Sequence, residues 1–154
     1  MATGKCRLMR FFTFTDERGK LTAIEGGETV PFDIQRVFFL HDLTPGCVRG
    51  GHATMNDQCM ICVAGTCRVR THDGETETVF VLDEPMRGVY VPSLIWREVY
   101  DCSEDCAVAV LSDKHYDAKD YIRDFDDYLE VRKKITQESH RSASGERGAF
   151  RQKS

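Results

Sequence analysis

The chain has 154 residues, 41% hydrophobic and 30% charged, with a formal net charge of −4. That length and composition fit one domain with a single core, and the acidic balance excludes a general nucleic-acid binder. No apolar run is long enough for a membrane-spanning helix. Residues Met1–Arg7 carry no apolar signal core, so a cytoplasmic location is expected. The seven cysteines (Cys6, Cys47, Cys59, Cys62, Cys67, Cys102 and Cys106) then read as reduced thiols. Cys59 to Cys62 is formally a CxxC pair, but it lies in an apolar strand pattern, where cysteine packs as a small hydrophobe.

In chain order, Cys6–Thr13 and Leu21–Glu25 are strand-like and are separated by the turn Asp16-Glu17-Arg18-Gly19. Gln35–His41 is a strongly apolar strand, closed by Thr44-Pro45-Gly46. Gln58–Val63 and Cys67–Thr71 form a hairpin about Gly65, and Asp73-Gly74 makes the next corner. Thr76–Leu82, Gly88–Val91, Glu98–Asp101 and Ala107–Ser112 complete the set. Short strands at regular spacing, with turn residues between them, predict an antiparallel jelly roll or barrel. One helix is predicted near the C-terminal end, capped by Asp117 or Asp120, with Tyr121, Ile122, Phe125, Tyr128 and Leu129 at helical spacing. Residues 137–154 are polar and aperiodic and read as a disordered tail after a domain spanning 1–136.

Three segments carry chemistry. Arg49-Gly50-Gly51-His52-Ala53-Thr54 delivers a histidine from a glycine turn. Val91 to Glu98 contains Trp96 and Arg97, and Lys119 to Leu129 is aromatic and acidic. Together they resemble the cupin-type sugar 3,4-ketoisomerases, which act on dTDP-4-dehydro-6-deoxyglucose in unusual-sugar biosynthesis, whether for lipopolysaccharide or antibiotic sugars. The resemblance spans roughly residues 7 to 130. It implies a cupin-like all-β barrel with one C-terminal helix and a dTDP-linked keto sugar as substrate. It also implies a homodimer, which could exchange an N-terminal strand and so cover an exposed edge.

The resemblance makes His52 the base that removes the C3 proton. The family's second motif histidine is replaced here by Thr54, which could hold a water. Upstream, Phe38 and Phe39 stand where the family has tyrosines, and His41 is either a rim residue or a replacement shuttle. Arg36, Arg49 and Arg97 are candidates for the diphosphate. Arg18, in its Arg-Gly turn, could line a neighbouring site. Trp96 is either a core residue or a wall against the sugar or thymine. Gln58 is either a strand start or a hydrogen-bonding group, and Tyr90 is a further cavity candidate. No cofactor is expected. A metal site is disfavoured, because His52 has no second histidine or carboxylate at ligand spacing. Two other readings stay open: an epimerase-like enzyme on a related nucleotide sugar, and a non-catalytic cupin that binds nucleotide sugars.

Overall fold

A computed structural model describes residues 4–149. It contains twelve strands: β1 (Arg7–Arg10), β2 (Thr13–Asp16), β3 (Gly19–Thr22), β4 (Arg36–Leu40), β5 (Arg49–Thr54), β6 (Gln58–Ala64), β7 (Cys67–His72), β8 (Glu77–Leu82), β9 (Arg87–Val91), β10 (Trp96–Tyr100), β11 (Ala107–Ser112) and β12 (Tyr121–Ile122). A 3-10 turn, Ala118–Asp120, precedes β12, and the helix α1 runs from Phe125 to Ala149. One antiparallel sheet has the order β1-β9-β6-β11-β4 and the other β12-β5-β10-β7-β8, while β2 and β3 form a separate hairpin. This is the expected jelly-roll barrel with a C-terminal helix. No helix among the described residues is long and apolar enough to cross a membrane.

Side chains alternate across each strand, so every strand builds two layers. The inner layer is Met60, Cys62, Val89, Val91, Val108 and Val110 from the first sheet against Cys67, Val69, Leu82 and Val99 from the second. Each fully buried valine or leucine there contributes about 1.5–3 kcal/mol. The outer face of the first sheet, with Cys59, Ile61, Tyr90 and Leu111, is covered by Phe11, Val30 and Phe32 from the N-terminal segment. This explains why Cys6–Thr13 is not one strand. The chain breaks at Phe11, which turns inward while its backbone N–H donates to Met86 O at 2.8 Å.

The helix α1 packs on the outer face of the second sheet at β5 and β10, while Val79 and Val81 of β8 stay exposed. Tyr128 packs with Ala53 and Trp96, and its hydroxyl donates to His72 O at 2.6 Å and Leu94 O at 3.1 Å. Asp124, not Asp117 or Asp120, caps this helix, accepting from Asp127 N at 2.9 Å. Asp117 caps the short 3-10 turn instead, accepting from Lys119 N at 3.0 Å. Residues 137–149, read from sequence as a disordered tail, continue α1. They contain no proline, and Gln, Glu, Arg and Ala among them favour helix. The final part of that segment, 150–154, lies outside the described residues.

Candidate active site

The strand register brings inward-facing residues from six strands to one level at one end of the barrel. Ser112 pairs with Arg36 on one side and Gln58 on the other. Arg97 pairs with His52, and Tyr121 pairs with Thr54 on the neighbouring edge of β5. Directly paired residues share a face. Side chains then link the two sheets. Arg97 Nη1 donates to Gln58 Oε1 at 2.6 Å, and Arg36 Nη2 donates to Tyr121 Oη at 3.1 Å. The result is a ring around the barrel mouth: Arg36, Ser112, Gln58, Arg97, His52 and Tyr121.

Two glycines set the level of His52. Gly50 and Gly51 have φ of +86° and +66°, a region costly for other residues. A Cβ on Gly50 would lie 2.8 Å from Arg97 O. The glycines therefore let β5 lie close against β10 and hold His52 opposite Arg97. This run was expected only as a turn, but it is a paired strand.

Arg97 is completely buried. The acceptors it binds are all neutral oxygens: Gln58 Oε1, Ile95 O and Pro92 O. Burial pushes its pKa down to about 10, so it remains a cation at neutral pH. Burying a charge among neutral groups is costly, and it leaves a positive potential at the mouth that an anion would neutralise. His52 feels it. Burial first, and the charges of Arg97 and Arg123 after it, outweigh a weak opposing pull from the Gly50 backbone and lower the imidazole from its ordinary 6.5 to about 4. At neutral pH His52 is therefore uncharged and free to accept a proton. Its ring meets the Tyr121 ring edge-on, with centroids 4.9 Å apart.

Three buried polar atoms of this ring have no hydrogen-bond partner: His52 Nδ1, Gln58 Nε2 and Arg36 Nε. Unsatisfied buried polar atoms are uncommon, and three in one ring mark a place where a polar ligand would complete the structure.

Of the other sequence candidates, Thr54 shares the face of His52 and lies beside Tyr121, while the rest lie away from this ring. The hydroxyl of Thr54 is engaged locally, accepting from Asn56 N at 2.9 Å and donating to Asn56 O at 3.3 Å. His41 follows the far end of β4, five residues or roughly 16 Å along the strand from Arg36, exposed and bonded to Asp42 at 2.5 Å. Arg49 is exposed at the start of β5, paired with Val99 towards that same far end. Trp96 points away from the cavity, into the layer under α1 with Phe125 and Tyr128. Tyr90 lies on the outer face of the first sheet, stacked on Phe32, with Arg7 over its ring and its hydroxyl donating to Asp57 at 3.1 Å. Arg18 is on the tip of the β2–β3 hairpin, bonded to Asp16. Phe38 lies under the Arg36 guanidinium at 4.9 Å.

Tyr121, Arg123 and Ser112 belong to the site without having been singled out from sequence. The Arg123 guanidinium lies 4.9 Å over the Tyr121 ring. Helical spacing from Tyr121 to Leu129 hid Tyr121 and Arg123, and Ser112 read only as the end of an apolar strand. The signal that could have found them is the short Tyr121-Ile122 pair, set between an Asp-capped turn and an Asp-capped helix.

The sequence model of the FdtA family, described as WxcM-like, C-terminal, matches residues 4–133. A TDP-4-oxo-6-deoxy-alpha-D-glucose-3,4-oxoisomerase of Aneurinibacillus thermoaerophilus is 38% identical over 133 residues, covering 86% of this chain and 96% of that protein. Among solved structures, the sugar 3,4-ketoisomerase QdtA of Thermoanaerobacterium thermosaccharolyticum, in complex with TDP, superposes with a TM-score of 0.82 at 36% identity, covering 84% and 96% of the two chains. The TDP-fucose-3,4-ketoisomerase WlaRA of Campylobacter jejuni superposes with a TM-score of 0.81 at 28% identity, covering 86% and 99%.

Proposed function

The chain belongs to the FdtA family (WxcM-like, C-terminal), and we propose that it is a metal-independent 3,4-ketoisomerase of a TDP-linked 4-keto-6-deoxyhexose. The observation that carries the reading is the pairing of a neutral His52 with a buried, carboxylate-free Arg97 in one ring of unsatisfied polar atoms. The relatives act on TDP-linked sugars, and a 4-ketone acidifies the neighbouring C3–H. The functions named for these relatives support isomerisation over epimerisation.

In this reaction His52 takes the proton from C3. The electrons of that bond form a C3=C4 double bond, and O4 gains a proton, giving an enediol. A proton then returns to C4, O3 loses its own, and the ketone stands at C3. The sum is an isomerisation with no oxidant. Arg97, with Gln58 and Arg36, holds the anionic and hydroxyl groups of the substrate, and its charge stabilises the enediolate. Tyr121, whose hydroxyl accepts from Arg36, handles the oxygen-bound proton in place of the absent second histidine. The mouth offers no cluster of three histidine, cysteine or carboxylate groups; among the described residues the one such cluster is Cys62, Cys67 and Cys106, at the other end.

A second copy of the chain completes the assembly. Phe12, Phe14 and Leu21 of the hairpin segment and Val37 and Phe39 of the edge strand β4 are all exposed, an apolar surface of the kind that marks protein–protein contacts. A homodimer would cover it, and Arg18 on the hairpin tip would then contribute to the partner's mouth rather than its own. A cytoplasmic location fits the seven free thiols.

Incubating the protein with TDP-4-keto-6-deoxyglucose and resolving the products by NMR tests the reading. A 3-keto sugar is expected. Recovery of only the starting sugar, or of its C3 or C5 epimer, would overturn it.

A further inference from the structure

The end of the barrel opposite His52 holds a second cluster that the isomerisation does not use. Cys62 lies near the end of β6, Cys67 opens β7 across the Gly65 turn, and Cys106 immediately precedes β11. All three are buried, and their sulfurs lie within 4.8 Å of one another. Cys62 Sγ and Cys106 Sγ are 3.8 Å apart. Cys102, only partly buried, sits against Cys106 on the side facing solvent.

Cysteines used only as small hydrophobes have no reason to converge; Cys59 sits alone among Phe11, Val30, Ile61 and Leu111. Here three sulfurs from three separate segments meet in the inner layer, and a fourth stands at its edge. In a tetrahedral thiolate site with metal–sulfur bonds of about 2.3 Å, the sulfurs are about 3.8 Å apart. The Cys62–Cys106 separation matches that edge and is far from the roughly 2.05 Å of a disulfide.

We propose that Cys62, Cys67 and Cys106 bind a thiophilic d10 cation, with Cys102 as the fourth ligand when the ion is Zn²⁺ and without it when the ion is Cu⁺. Thiolate sulfur selects these ions over Mg²⁺ or Ca²⁺. Each ligated thiol releases its proton; Cys62 Sγ, which donates to Ala64 O at 3.1 Å in the thiol form, gives up that bond for the metal. The ion ties β6 and the start of β11, in one sheet, to β7 in the other. It acts as a staple at the end of the barrel opposite His52, and Cys102, only partly buried, provides the way in.

Reduced, metal-free protein titrated with Co²⁺, Zn²⁺ and Cu⁺ tests this. One Co²⁺ per chain is expected, with thiolate-to-metal charge-transfer absorption whose intensity reports three or four sulfurs, and with displacement by one Zn²⁺ or Cu⁺. Loss of a ligand should weaken binding more than the 10–100-fold of outer-shell changes, so Cys67→Ala should cost about 100-fold or more. Weaker Zn²⁺ binding by Cys102→Ala marks the four-thiolate Zn²⁺ site. Unchanged, tight Cu⁺ binding by that variant marks the three-thiolate site. The wild-type spectrum counts thiolates by itself, so the test does not depend on the variants folding. No uptake of any of the three ions by the reduced protein, or uptake that Cys67→Ala leaves unchanged, would overturn the proposal.

Discussion

Arg97 reaches from β10 across the barrel and donates to Gln58 Oε1 on β6 at 2.6 Å, while its backbone pairs with His52 on β5. One buried cation thus fixes the amide of Gln58, with its Nε2 left free to donate, and adds to the effect of burial in depressing the imidazole beside it.

The first consequence is the pH profile. His52 in the free protein holds its proton only below about pH 4. As a base it must be neutral, so kcat/KM should rise through about pH 4 and show no inflection near 6.5. An imidazole of such low pKa is a weak base. An anionic substrate that neutralises Arg97 lifts it, so the inflection in kcat should lie higher than that in kcat/KM. The sign for stability follows from the same shift. Between pH 6.5 and 4 the unfolded chain protonates this histidine and the folded chain does not, so acid should lower stability across that window. An NMR titration of the His52 ring, alongside the rate profile, checks both; an inflection at 6.5 in each would contradict them.

Replacing Arg97 with Met tests the buried cation. The variant removes a buried charge, a gain, but leaves Gln58 Oε1, Ile95 O and Pro92 O without their donor, at about 1–3 kcal/mol for each unsatisfied buried acceptor, so global stability should change little or fall. It also removes charge-assisted bonds worth about 1.5–3 kcal/mol, so the Kd for TDP or for the substrate should rise about 10–100-fold. The His52 pKa should rise in the same variant, because the repulsion of its cation is gone. Calorimetry and the ring titration together read all three effects.

The barrel is legible in the sequence, because the short apolar runs Gln58–Val63 and Ala107–Ser112 and the Gly65 and Gly74 corners each give one local answer. His52, Arg97, Gln58 and Arg36 are legible as candidates, and all four meet in the ring. What is not legible is which way a side chain faces where strand bounds are uncertain. Trp96 and Arg97 are neighbours, yet one packs under the helix and the other lies inside the barrel. Tyr121 fits the helical spacing of the residues after it, but pairing with β5 wins over that spacing and makes it a strand residue. His41 lies close before His52 in sequence, yet it follows the far end of β4, which only the register reveals.

Tyr121→Phe should lower kcat about 10²-fold with little change in KM. The phenol proton is lost while the ring stays against His52. Steady-state kinetics checks this, and an unchanged kcat would remove Tyr121 from proton handling.

The exposed apolar hairpin predicts assembly. Sedimentation equilibrium should give two chains per particle, and Phe14→Asp, at a position 53% exposed, should shift it towards one chain while the barrel stays folded by circular dichroism. Arg18→Ala should weaken substrate binding only where the dimer forms. A wild-type monomer with full activity would contradict the shared site.

The role of His52 is tested most directly by running the reaction in D₂O. TDP-4-keto-6-deoxyglucose is incubated with the wild-type protein and with His52→Ala, and the sugar protons are followed by NMR. A 3-keto product bearing deuterium at C4 is expected with the wild type, and a rate about 10²–10⁴-fold lower with the variant. Undiminished conversion by His52→Ala would contradict proton transfer through His52.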